Sequence, residues 1–246
     1  MVAAEMGQGL FITGTDTGVG KTVVGAAIAR MLHLQGINVG VMKPVESGVT
    51  DTSRLGPDAQ LLAWAAGCDD DIDLVSPYRL KEALAPSVAA SREKIRIIPG
   101  VLQERFEQLQ KKHDIVIVEG AGGLMAPVTG GILVADVARM LNLPLLVVTH
   151  PRLGTVNHTF LTTFAAGQLQ LPIAGYLINR MPANPDPASE TAPHTLASLV
   201  SADLLGVLPE VVDKEPEQIV KLIASEIESS PGLPLLMTAL GLKGKA

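Results

Sequence analysis

The 246-residue chain predicts an α/β fold: a doubly wound, mainly parallel sheet with helices on both faces. Three observations predict it. Short apolar runs alternate with longer helix-compatible stretches. The runs are β-branched at their centres and lack a polar face, as strands covered on both sides should. The first run feeds a glycine-rich loop that opens directly into a helix. Residues 1–246 are read as one domain, long enough for a substantial core.

Residues 10–13 form the first strand candidate, and 21–35 the first helix, which Gly36 ends in the position a C-terminal glycine prefers. Residues 38–43 are the second strand. Residues 47–57, rich in Gly, Ser, Thr and Asp, predict a loop, and 59–66 a helix. Residues 100–112 predict a helix behind Pro99, where a missing N–H costs nothing. Strands then follow at 115–118, 145–149 and 173–178, with a less regular sixth at 204–208. Helices at 134–141, 156–170 and 215–229 separate or follow them. Residues 181–193 hold four prolines and predict a surface loop, and 230–246 predict a partly flexible tail.

A net charge of −6, with no Lys/Arg cluster, argues against nucleic acid as a partner and favours small molecules. Cys68 is the only cysteine, which excludes a disulfide framework; the three aspartates after it disfavour a thiolate, so it reads as structural. Glu5 and the lack of a basic start argue against a signal peptide, and no apolar run is long enough for a bilayer. The expectation is a cytoplasmic protein without membrane contact.

The chemistry starts at Gly14-Thr15-Asp16-Thr17-Gly18-Val19-Gly20-Lys21-Thr22. Glycines let several N–H groups face one anion, and the helix start adds positive potential. Lys21 can reach outer phosphates and Thr22 can ligate Mg2+. The spacing differs from the common phosphate loop, because Thr15 stands where the first glycine is usual. These features specify a P-loop NTPase fold. Residues 115–118 end at Glu119, where such a fold places a second Mg2+ contact, and Gly120, Ala121, Gly122 and Gly123 allow close backbone approach. Lys43 ends the second strand on the same edge, followed by Ser47 in Lys-Pro-Val-Glu-Ser-Gly. A lysine there can stabilise a transferred phosphoryl group. Asp58, Thr155, Asn157 and Asn179 each have an ordinary reading as a helix-start or turn residue. His150 follows a strand without a visible partner and reads as structural.

Together these motifs resemble dethiobiotin synthetase. The matching stretches are residues 14–22, 43–48, Glu-Gly-Ala-Gly-Gly at 119–123 and Gly-Thr-Val-Asn-His at 154–158, across residues 9 to about 210. The resemblance implies a homodimer that joins CO2 to 7,8-diaminopelargonate with ATP and Mg2+, through a carbamate and its mixed anhydride with phosphate. It implies that Lys21, Lys43 and Thr17 act on the reacting groups, and that Thr22, Asp58 and Glu119 hold Mg2+. Thr17, Gly18, Val19, Gly20, Lys21, Thr22, Gly120, Ala121 and Gly122 would contact nucleotide, and Asn179 with Pro209, Glu210 and Val211 the base. Ser47 and Gly123 would contact substrate. Gly154, Thr155, Val156 and Asn157 would hold its carboxylate across the dimer interface.

The sequence departs from the pattern at Arg180, where some members carry an acid, and at Val88, where a histidine is frequent. Val88 is given no role. Septum-site and plasmid-partitioning ATPases share the loop type, but they carry a lysine where this chain has Asp16. Cobyrinic acid amidotransferases need a glutaminase cysteine, and Cys68 lies in the wrong half. A nucleotide-dependent regulator has no need of Lys43 and Ser47.

Overall fold

The computed structural model describes residues 8–242. Its centre is β1 (Gly9–Gly14), six buried residues that lead through the phosphate loop into α1 (Lys21–Leu34). The chain returns through β2 (Val39–Met42) and β3 (Val45–Ser47), then α2 (Pro57–Ala66), α3 (Ile72–Val75), β4 (Tyr78–Leu80), α4 (Pro86–Arg92) and α5 (Pro99–Lys112). Next come β5 (Ile115–Gly123), a ribbon of β6 (Pro127–Thr129) and β7 (Ile132–Leu133), α6 (Val134–Leu141) and β8 (Leu145–Thr149). The remainder is α7 (Thr155–Gln168), β9 (Ile173–Met181), α8 (Pro187–Leu199), β10 (Leu204–Pro209), α9 (Pro216–Ser229) and α10 (Leu233–Ala239).

Six strands form one sheet in the order β10-β9-β8-β1-β5-β2, and every pairing is parallel. Alternation explains how both faces are filled. Leu10, Ile12, Ile115 and Ile117 face one core, under α1, α2, α9 and α10. Phe11, Val116 and Val118 face the other, with Leu102 and Phe106 of α5 and Val137 and Leu141 of α6. Successive strand side chains point to opposite faces, so a strand apolar at every position needs a layer on each side. The connections run to β5 and β2 on one side of β1, and to β8, β9 and β10 on the other. That change of direction opens a crevice at the carboxyl end of β1.

All six predicted strands and six predicted helices are present, with shifted ends. β5 extends to Gly123, so Gly120 to Gly123 continue the strand rather than leaving it. α2 begins at Pro57 and takes Asp58 into its first turn. One expectation is corrected outright, and two others gain structure at their ends. Much of the predicted loop at 181–193 is helix: Asp186 accepts from Ser189 N at 2.7 Å and Pro187 takes the first helical position, so α8 starts there despite Pro193 inside it. The predicted tail contains α10, whose Leu236 and Met237, with Leu240, are buried against the first core. Residues 243–246 of that tail lie outside the described residues. The small sheet of β3 and β4 also takes the first residue of the predicted 47–57 loop.

Candidate active site

The phosphate loop is shaped by two left-handed glycines, Gly18 with φ 78° and Gly20 with φ 93°. Gly20 is also close-packed, since a Cβ there would lie 2.1 Å from Asn179 Nδ2. No side chain caps α1, so its first N–H groups stay available to an anion. The odd Thr15 is accounted for by its hydroxyl, 3.1 Å from that of Thr149 at the end of β8. Lys21 is buried and donates to the Asp16 carbonyl at 2.9 Å. Burial lowers its pKa, opposed by the nearby Glu119 carboxylate.

Lys43 leaves β2 into a cluster of acids. Its ammonium lies 2.6 Å from Glu119 Oε1 and 2.7 Å from Asp58 Oδ2. Thr22 Oγ1 donates to the same Glu119 oxygen at 3.0 Å. Lys43 and Glu119 are 4% and 1% exposed, so this is an interior ion pair, whereas Asp58 opens to solvent. Burial opposes the charge on Lys43, but Glu119 and Asp58 outweigh it and hold the ammonium above the usual lysine range. Burial pushes Glu119 up, and Lys43 pulls it back. Burial would also raise Asp58, but Lys43 brings it below the usual carboxylate range.

Glu119 Oε2 is buried and has no hydrogen-bond partner among the described residues. An unpartnered carboxylate oxygen beside Asp58 and Thr22 is a hard, oxygen-only donor set, and it fits Mg2+.

Glu46 was missed by the sequence reading. It is 4% exposed and accepts from Asp58 N at 2.8 Å and Ala59 N at 3.2 Å, so it caps α2 from outside the helix. Gly56 makes room for it, since a Cβ there would come within 2.4 Å of the carboxylate. Capping rules search the residues just before a helix. Glu46 precedes α2 by a whole loop, and only the tertiary fold brings it there.

These groups line an open cleft of about 1670 Å³. That exceeds the usual small-molecule pocket of about 300–1000 Å³ and leaves space for two ligands. Thr17, Gly18, Gly20, Lys21, Thr22, Lys43, Ser47, Asp58, Glu119, Ala121, Gly122 and Gly123 all border it. Val19 and Gly120 lie behind its wall. The cleft also extends to Arg180, the position where the sequence departs from the family pattern, and to Trp64 and Glu215, which no motif had marked.

Three predicted groups stand elsewhere. Asn179 is buried behind the phosphate loop and donates to the Val19 carbonyl at 3.0 Å. Arg180, in the left-handed region at φ 62°, donates to the Gly18 carbonyl at 3.0 Å, so consecutive residues hold consecutive loop carbonyls. Pro209, Glu210 and Val211 end β10 off the cleft; Glu210 lines a pocket of about 90 Å³ with His150 and Arg152. Gly154, Thr155, Val156 and Asn157 open α7, and none of them borders the cleft of their own chain.

A family profile described as an AAA domain matches residues 8–218. The ATP-dependent dethiobiotin synthetase BioD of Thermodesulfovibrio yellowstonii is 41% identical over 224 residues, 87% of this chain and 93% of the relative. Its namesake in Bacillus subtilis strain 168 is 37% identical over 237 residues, 96% of this chain and all of the relative. Among solved structures, the septum site-determining protein MinD of Pyrococcus horikoshii, in complex with Mg-ADP, aligns with a TM-score of 0.57 at 19% identity. It covers 96% of this chain and 98% of its own. A ParA family ATPase of Chlorobium tepidum aligns at 0.54 with 18% identity, covering 95% and 96%. At such identity the two ATPases show the P-loop fold alone. The two synthetases carry the assignment: the chain belongs to the ATP-dependent dethiobiotin synthetase family.

Proposed function

We propose that the cleft converts 7,8-diaminopelargonate and CO2 to dethiobiotin, with ATP going to ADP and phosphate, as a cyclo-ligase of biotin biosynthesis in a single cytoplasmic domain. The observation that carries this is the Lys43–Asp58–Glu119 cluster facing the phosphate loop across one cleft. One substrate amine adds to CO2 and loses a proton, giving a carbamate. A carbamate oxygen attacks the γ-phosphorus, and the bond to ADP breaks. The second amine then attacks the carbamoyl carbon and gives up a proton, the ring closes and phosphate leaves. Both nucleophiles belong to the substrate, so the protein needs only to position groups and stabilise charge.

Lys21 and Lys43 supply that stabilisation. Both are buried, so their charges act across little water. Thr17 on the loop and Ser47 on the facing lip offer hydroxyls to the reacting end. Thr22, Asp58 and Glu119 would hold Mg2+, which neutralises phosphate charge when bound. Asn179, Pro209, Glu210 and Val211 lie off the cleft, and their assignment to the base rests on the family resemblance alone.

The substrate carboxylate is assigned to the start of α7 in a partner subunit. Gly154 enters that helix at φ 98° and no side chain caps it, which leaves N–H groups for an anion. The same helix exposes Phe160, Leu161 and Phe164, with Leu153 beside it 91% exposed. An apolar face of this kind suits a second copy of the chain. The test is phosphate release from ATP and Mg2+ with and without diaminopelargonate plus bicarbonate. Stimulation by the pair is expected, and its absence in folded protein would refute the reading.

A further inference from the structure

At the opposite edge of the sheet from the cleft, three side chains of metal-ligand type converge. Cys68 lies just beyond α2, Asp70 two residues later, and His113 between α5 and β5. Their Sγ, carboxylate and Nε2 atoms all lie within 4.8 Å of one another. Asp70 Oδ2 is the common neighbour, 2.9 Å from Cys68 Sγ and 2.6 Å from His113 Nε2. The side chains of Asp70 and His113 are 7% and 10% exposed, so the donors are partly withdrawn from water.

The surroundings fix the histidine in a ligating orientation. Asn38 Nδ2 donates to the Lys112 carbonyl at 2.8 Å, which turns Asn38 Oδ1 to His113 Nδ1, also at 2.8 Å. An amide oxygen only accepts, so Nδ1 carries a hydrogen. Nε2 faces the Asp70 carboxylate oxygen at 2.6 Å, a contact in which the ring donates, so a metal ion bound there would displace that hydrogen. Metal-binding histidines are held this way, by a partner on the other ring nitrogen. Lys112 Nζ holds Asp70 Oδ1 at 2.7 Å and leaves Oδ2 toward the other two donors.

We propose that Cys68, Asp70 and His113 form a binding site for a zinc-class transition-metal dication, with water as the fourth ligand. A thiolate, an imidazole and a carboxylate together select Zn2+ or Co2+ over Mg2+, so the site is chemically distinct from the oxygen-lined cleft. Donors around tetrahedral zinc sit about 3.2–3.7 Å apart, so Asp70 Oδ2 moves back by about 1 Å to admit the ion. Binding releases the Cys68 thiol proton and the hydrogen that Nε2 shares with Asp70. The ion ties the segment after α2 to the α5–β5 junction. α2 itself is ten residues long and carries Asp58 in its first turn, so the site lies roughly 15 Å from Asp58 along the helix.

Because Cys68 is the only cysteine, a thiolate-to-cobalt charge-transfer band can arise nowhere else in the chain. The experiment titrates the full-length protein with Co2+ alone, without nucleotide, and then displaces Co2+ with Zn2+. The expected result is a near-ultraviolet band saturating at one equivalent and removed by Zn2+. Asp70→Asn and His113→Gln should each weaken Zn2+ binding at least ten-fold, and Asn38→Ala about 10- to 100-fold through the ring's orientation. Cys68→Ser should lose the band while retaining synthetase turnover. No band in folded wild-type protein overturns the proposal without recourse to any variant. A band of unchanged affinity in both Asp70→Asn and His113→Gln also overturns it, since the thiol would then bind alone.

Discussion

Replacing Lys43 by Gln removes one charge from the interior and leaves the side chain's length nearly intact. Its consequences separate into stability and turnover. At 2.6 Å from Glu119, and with an effective dielectric of about 20, the lost attraction is about 6 kcal/mol. Desolvation of the pair offsets part of that in the wild type. Removing one partner of a buried pair costs about 3–5 kcal/mol net. Glu119 is 1% exposed, so it cannot recover its solvation by turning outward. It can, however, take up a proton. Burial already raises its pKa above 4.5, and without Lys43 the folded-state value rises further. A group whose folded pKa exceeds its unfolded value favours folding at low pH and loses that contribution as pH rises through the folded value. The variant's deficit is therefore smallest near pH 4.5 and grows toward neutrality. Urea unfolding across that range measures it. For turnover, loss of one preorganised charge-stabilising donor costs about 10²–10³ in kcat. Nucleotide affinity should change by only a few-fold, because the phosphate loop and Lys21 are untouched. Phosphate release and fluorescent-nucleotide binding read the two quantities. Equal losses in binding and turnover, or a stability deficit independent of pH, would refute this reasoning.

Three further outcomes are expected. Glu46→Ala strips two N–H groups at the start of α2 of their acceptor, which should cost about 1–3 kcal/mol in urea unfolding. It should also raise the Mg2+ concentration for half-maximal activity while nucleotide affinity in EDTA holds; an unchanged Mg2+ requirement would sink that role. Asp70 is raised by burial but lowered more by Cys68, Lys112 and His113, to about 2 from 3.8. Its stabilisation is thus complete above about pH 4 and lost as pH falls toward 2. Asp70→Asn should melt below the wild type at neutral pH and converge with it at pH 2, and parallel curves would contradict the assignment. Phe160→Asp places a charge on the exposed face of α7, where Phe160 stacks on Phe164 with centroids 6.3 Å apart. Sedimentation should show a monomer with a weakened KM for diaminopelargonate and intact nucleotide binding; a dimer of wild-type KM would remove α7 from the interface.

What the sequence disclosed follows from what its signals measure. Apolar periodicity and flanking turn residues are local, and they placed β1, β5 and β8 because each of those strands is buried on both faces. Lys21, Thr22 and Glu119 were legible because a phosphate loop and a strand-ending acid each sit within one short stretch. α8 was not legible, because four prolines read as a loop while Asp186 and Pro187 were in fact starting a helix. Glu46 was hidden for a different reason. Its partners are backbone N–H groups twelve and thirteen residues on, and no residue-type pattern specifies a backbone donor. The cluster of Cys68, Asp70 and His113 combines both difficulties, since it joins the end of α2 to the start of β5 across the sheet's amino edge.

Lys43 shows how a residue can be located by pattern while its state depends on the fold. Its place at the end of β2 suggested a contact with transferred phosphate. The folded chain adds that this ammonium stands between the two carboxylates assigned to Mg2+. Two acids this close, one of them almost fully buried, would repel each other without a cation. The lysine supplies that charge. A dication held by Thr22, Asp58 and Glu119 would supply that charge instead, and Lys43 would then be free to stabilise phosphate charge. One charge can therefore serve either the carboxylates or the phosphoryl group, which is why a lysine placed by pattern at a phosphate site is found among acids.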